Sequence, residues 1–209
     1  MSAILIQPAV LTAVTAADVR THLRISDTSE DTYLGTLISA AQRAVEDFTN
    51  RAIGTQKWRL TMWAFDGRER FNPRYETPAG RPYPDSLIFV RGCVPVKLLP
   101  VPIASVDTFT YLDENGVRQT LAPSAYVLDS TSEPAVIVPA YGTVWPTVQN
   151  MPGAIIIETT NGLSDMTKVD PRFGQAMLLA IGNWYENRES AGDLPDAAKA
   201  LLWPLRVWG

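Results

Sequence analysis

Apolar residues recur at helical spacing near both ends of the chain and at strand spacing through its long middle. Thr15-Ala16-Ala17-Asp18 is a capping-box-like start, in which a threonine hydroxyl and an acid three residues later satisfy each other's backbone N–H groups. Val14 and Val19 stand at the two positions of a hydrophobic staple, and Val19 and Leu23 share a face, so a short helix to about Arg24 is predicted. Asp27-Thr28-Ser29-Glu30-Asp31 is a second start, its acids suited to the positive end of a helix dipole. Leu34, Leu37, Ile38, Ala41, Val45 and Phe48 then line one face to about Thr49, with Asn50 and Gly54 as stop signals. Asp170 and Pro171 suit the cap and first turn of a third helix, which carries Phe173, Met177, Ala180, Ile181 and Trp184 as a broad stripe flanked by Tyr185. Ser190-Ala191-Gly192 breaks it, and a short fourth helix is predicted from near Pro195.

Between these ends, residues 55–162 sustain no helical period and are rich in Val, Ile, Thr, Tyr, Trp and Pro, which reads as β structure. Residues 57–65 alternate, with Trp58, Leu60, Met62 and Ala64 on one face. Residues 66–84 form a long loop holding Pro73, Pro78, Pro82 and Pro84. Further strands are predicted at 87–90, 103–112, 117–121, 126–128, 135–138 and 154–159. Asn115-Gly116 is a strong hairpin signal between the second and third of these, and the three consecutive isoleucines of the last suggest burial on both faces. The expected fold class is α+β. N- and C-terminal helices (1–53 and 168–209) pack as a small bundle, because neither set can bury its apolar face alone, and an antiparallel β domain (54–167) is inserted between them.

The chain's 209 residues suffice for one large domain or two small ones, and 46% hydrophobic with 19% charged residues describes a folded protein. A net charge of −4 removes any overall basic excess for holding nucleic acid by phosphate neutralisation. One cysteine excludes an intrachain disulfide framework, which fits a reducing cytoplasm. No apolar run approaches a membrane span, and the mildly apolar N-terminus lacks the basic region of a signal peptide.

Candidate chemistry is sparse. His22 is the only histidine and has no second histidine or cysteine to share a metal; Cys93 has no basic neighbour to activate it. No phosphate-cradling glycine loop is present, and no metal or cofactor is expected. Acid pairs such as Asp27/Glu30/Asp31 and Asp113/Glu114 read as a helix cap and a turn, although a hydrolase acting through two carboxylates is the rival from another class. A regulatory module binding through the β region is a third reading. Arg68, Arg70, Arg74 and Arg81 gather in the proline-rich loop. They mark either a solvated loop, balanced by Asp66, Glu69 and Glu76, or a surface facing a DNA channel or an acidic partner. The end of the chain stands out: Trp203, Leu205, Arg206, Val207 and Trp208 place interface-type residues where termini are usually polar or frayed. Either this tail folds back onto the core or another protein receives it.

Several stretches together resemble the tailed-phage head–tail connector (adaptor) proteins of prophages and gene transfer agents, in the longer subfamily with a β insertion. They are residues 14–24 (VTAADVRTHLR), the helix 34–50 with its ending VEDFTN and Arg51, and Thr55-Gln56-Lys57-Trp58. Val138-Pro139-Ala140-Tyr141-Gly142 with Trp145-Pro146, and Asn183-Trp184-Tyr185-Glu186-Asn187-Arg188-Glu189, complete the set. The resemblance implies a structural subunit of a ring, twelvefold like the portal above it, at the head–tail junction of a virion assembled in the bacterial cytoplasm. The ring extends the DNA channel, through which DNA passes without sequence-specific binding, and receives a stopper or tail-completion protein. Neither catalysis, a cofactor nor a membrane is implied, and the subunit is expected to be monomeric until the portal templates it. A neighbouring neck component, such as a stopper, is the alternative. The resemblance also points to residues 203–209 as the segment that grips the portal, ordering only on assembly, so that its removal would leave the fold intact.

Overall fold

The computed structural model describes residues 2–65, 95–187 and 193–208. It is an α+β fold. The first helix, α1 (Ala16–Leu23), is closed at its start by a reciprocal capping box: Asp18 N–H donates to Thr15 Oγ1 at 3.2 Å, and Thr15 N–H to Asp18 Oδ2 at 2.8 Å. Arg24 ends it in the left-handed conformation. Helix α2 (Asp31–Thr49) ends likewise at Asn50. Its start differs from expectation, because Glu30 makes no capping bond. The acids there serve other contacts: Asp27 closes a turn on Ser29, Asp31 pairs with Arg20, and Glu30 accepts the Tyr185 hydroxyl at 2.6 Å. Helix α3 (Pro171–Glu186) begins at the Asp170 cap, and α4 (Asp196–Leu202) follows Pro195. The apolar stripes meet in one core built on Val19, Leu34, Ile38, Val45, Met177, Ile181, Trp184 and Leu202.

Among the described residues, eight strands make the rest. They are β1 (Ser2–Gln7), β2 (Gln56–Met62), β3 (Val96–Leu98), β4 (Ile103–Leu112), β5 (Arg118–Thr120), β6 (Tyr126–Asp129), β7 (Ala135–Pro139) and β8 (Ile155–Asn161). An antiparallel sheet in the order β1-β2-β8-β4-β5 faces a smaller one in the order β3-β7-β6. Leu60, Leu98, Phe109, Ile137, Ile155 and Ile157 form the second core, where Phe65 stacks on Trp145 at 4.6 Å.

Several expectations are corrected. β1 and β3 are not among the expected strands, and β2 stops at Met62, where its pairing with β8 ends at Ile155. In β8 only one face is buried: Ile155 and Ile157 are fully covered and Ile156 is half-buried on the outer face. That outer face is polar, crossed by Lys57–Asp107 and Arg59–Glu158 ion pairs. Two segments grouped with the helices by sequence reach the β structure, since β1 pairs with β2 and Val207 lies in the second core. The expected strand 87–90, the loop 66–84 and the break at 190–192 lie outside the described residues.

Helices and sheets meet at a tight junction. A Cβ on Gly54 would come within 2.7 Å of the Leu11 carbonyl oxygen, and one on Gly162, at φ +89°, would sit inside the Gly54 carbonyl. Beside it lies a buried polar network. Glu46 Oε1 accepts from Ile53 N–H and Gln56 Nε2, both at 3.0 Å, and Gln42 bridges to Leu11 and Ala13. Burial raises the Glu46 carboxyl above its usual value, a penalty these donors only partly offset.

Candidate functional site

The C-terminal tail is ordered and lies along the end of α2. After α4 it takes one short turn of 3₁₀ helix (Trp203–Leu205) and then extends. Val207 N–H donates to the Thr49 carbonyl at 2.9 Å, and the Val207 carbonyl accepts from Asn50 Nδ2 at 2.8 Å. The Leu205 carbonyl accepts from Arg51 Nε at 2.6 Å, while the Arg51 guanidinium forks onto Glu133. The last residues of α2 and its exit, where carbonyls lack intrahelical partners, thus hold the tail. Of the two routes open from sequence, the structure shows the fold-back onto the core.

Yet the tail buries only part of itself. Val207 is 4% exposed, whereas Trp203 and Trp208 remain 58% and 60% exposed. Beside their rings lies Arg206, its guanidinium 4.2 Å from the Trp208 centroid, 5.1 Å from Phe48 and 5.9 Å from Trp203. Trp203 and Trp208 meet edge-on at 5.6 Å. Such cation–π stacks hold a guanidinium in one plane at low entropic cost. Of the five tail residues named from sequence, Trp203, Arg206 and Trp208 are brought together, while Leu205 packs against the helical core and Val207 in the core of the sheets. Phe48, Asn50 and Arg51, which receive the tail, are not among the site residues expected from sequence; Phe48 belongs to the apolar face of α2 and is half-buried at that helix's end.

The other candidates are dispersed. Arg68, Arg70, Arg74, Arg81 and Cys93 lie outside the described residues. His22 is exposed on α1, where its ring lies against Gly182. A surface depression of about 350 Å³ is lined by two acids, Asp18 and Asp170, among apolar residues. Both acids are spent as helix caps. Asp18 is held by the hydroxyl and N–H of Thr15, and Asp170 by the side chain and N–H of Arg172, which keep both carboxyls below their usual range. A carboxylate pair working as acid and base needs one member raised, so this pair lacks the required asymmetry. Asp113 is likewise committed, accepting from the Asn115 and Val117 N–H groups. Among the described residues no helix is long and apolar enough to cross a membrane.

The two edges of the larger sheet differ. β5 is three residues long, covers only the end of β4 and exposes Arg118, and β4 carries two irregularities in register. β1 is six residues long, bears no charge, and exposes Ile4 and Ile6. An uncharged apolar edge is a pairing template, whereas bulged, charged or short edges are blunted.

Residues 14–78 match the family of Phage gp6-like head-tail connector proteins. No curated protein matches the sequence. Among solved structures, a chain in the neck of an empty gene transfer agent particle, computed with C6 symmetry, is 23% identical with a TM-score of 0.70. A chain in the virion of a native gene transfer agent particle is 22% identical with a TM-score of 0.71. A third, in the neck of a native particle computed with C12 symmetry, is 22% identical with a TM-score of 0.68. Each alignment covers 100% of this chain and 97% of the other. The N-terminal helices and the start of the β region thus match the head-tail connector family model, and the fold is shared from end to end with chains of gene transfer agent particles.

Proposed function

We propose that the protein is a structural head–tail connector (adaptor) subunit of a tailed phage or prophage. It forms a ring beneath the portal, extends the DNA channel and receives the stopper or tail-completion protein. The observation that carries this reading is the whole-length fold shared with neck chains of gene transfer agent particles, joined to the family match at residues 14–78. Two features of the chain fit a ring subunit. Its larger sheet has unlike edges, as head-to-tail contacts between identical copies require. Its C-terminal tail presents two tryptophans and an arginine, the residue types that anchor interfaces, and is the proposed portal-binding segment. The ring is twelvefold in the virion, following the portal's symmetry, and the isolated subunit is monomeric. The polar outer sheet face carries paired charges without a basic excess, which suits a wall past which DNA slides without sequence-specific contact. The role is structural and non-catalytic, and assembly takes place in the host cytoplasm at the head–tail junction.

The test is the mass of the purified protein, alone and mixed with its portal, by light scattering. A monomer that joins the portal as a ring is the expected result. A protein that leaves the portal's mass unchanged overturns the assignment.

A further inference from the structure

Arg206 differs from most arginines around it. Arg20, Arg43, Arg51, Arg59 and Arg172 each pair with a carboxylate. Among the described residues Arg206 makes no ion pair, and its Nε is buried without a hydrogen-bond partner. What surrounds it is aromatic: Phe48, Trp203 and Trp208 stand within 6 Å of its guanidinium. The aromatic faces strip water from the cation and fix its plane, and they offer no hydrogen-bond acceptor. A guanidinium held in this way is a pre-organised fork whose natural complement is a carboxylate. The two tryptophans that frame it are more than half exposed, so the frame is open to a partner.

We propose that Arg206, framed by Trp203, Trp208 and Phe48, is a receptor for a carboxylate of the docking partner, an Asp or Glu side chain or a chain terminus, which it takes by a bidentate ion pair. This rests on the adaptor reading and names the chemistry of the contact its tail makes. The partner's acid supplies the ion pair that the chain's own fold withholds, and the flanking rings exclude water around it. Pairing in a water-poor frame gives such a contact more weight than an exposed surface pair.

The experiment measures binding of the full chain to the portal for wild type, R206Q and R206K, with thermal unfolding of each variant as a control for the fold. R206Q removes the charge and is expected to weaken binding by at least about tenfold. R206K keeps the charge but loses the planar fork, and is expected to fall between wild type and R206Q. Wild-type binding by R206Q, with wild type joining the portal, overturns the carboxylate receptor while the adaptor reading stands. Failure of wild type to bind the portal overturns both. Should R206Q unfold, R206K decides: full-strength binding by a folded R206K refutes a bidentate contact.

Discussion

Val207 is the tail's anchor, and replacing it with alanine tests whether the tail is part of the folded body. Its side chain is 4% exposed and belongs to the core between the two sheets. Val207→Ala removes two buried methyl groups, about 0.8 kcal/mol each in transfer free energy, and a further contribution comes from the void left behind. The sum is about 2 kcal/mol. The backbone bonds to Thr49 and Asn50 remain available to alanine, so this figure isolates packing. For a chain of this length 1 kcal/mol moves the melting temperature by about 2–4 °C, so V207A should melt about 4–8 °C below wild type. Trp208→Ala is the control. Its ring is mostly exposed and its main contact is the Arg206 stack, so the loss should stay below about 1 kcal/mol. Calorimetry or circular dichroism on both variants reads the contrast. A V207A protein that melts with wild type would show that the tail is detached in solution. The same reasoning argues against the expectation that removing residues 203–209 leaves the fold intact, since their loss would uncover part of the second core and take the acceptors from Asn50 Nδ2 and Arg51 Nε.

Three further predictions concern the body of the fold. Glu46 has a folded-state pKa raised by burial above the usual 4.5, so the folded state favours its protonated form. Its stability contribution is present below pH 4.5 and lost as pH rises through the raised value. E46Q should therefore gain on wild type across that rise in urea unfolding, and a pH-independent difference refutes the assignment. Gly162→Ala combines a positive φ with a backbone clash at Gly54, so it should cost about 3 kcal/mol or more in thermal unfolding; a melting point near wild type would mean the junction is looser than described. Thr15→Ala removes one half of the α1 capping box and should cost about 1 kcal/mol by denaturant titration. Asp18, its partner, has a lowered pKa, so the wild-type advantage holds above its usual 3.8 and fades as pH falls below it; an advantage that persists unchanged at lower pH would contradict the capping geometry.

The helices were legible because period and caps agree in them. Val14, Thr15, Asp18 and Val19 announce α1 locally, and the stripe from Phe173 to Trp184 fits only a helix. β1 was hidden because its side chains alternate little in burial: it is an edge strand held by backbone pairing to β2, and the hydrophobic pattern has little to report. β3 has three residues between Pro95 and Pro100, too few for a period. The apolar surplus of the tail was visible, but its destination was not. The Thr49 carbonyl and Asn50 amide that receive Val207 lie more than 150 positions earlier, and no local rule connects them. The buried Glu46 network did leave a signal, since Gln42 and Glu46 stand four apart on the otherwise apolar face of α2. Polar residues there demand partners, and Gln56 is one.

The position of β8 bears on how the chain comes to be folded during synthesis. It is the last of the described strands to leave the ribosome, yet it is the central strand of the five, with β2 on one side and β4 on the other. Until residue 161 has emerged, the β1–β2 pair and the β4–β5 hairpin have nothing between them to pair with. The α2 stripe also stands uncovered until α3 follows. The larger sheet and the helical core therefore close late and nearly together, in the final third of translation, and the nascent chain carries open strand edges and an apolar helix face until then. Chaperone protection over that interval would therefore favour the yield of folded chain.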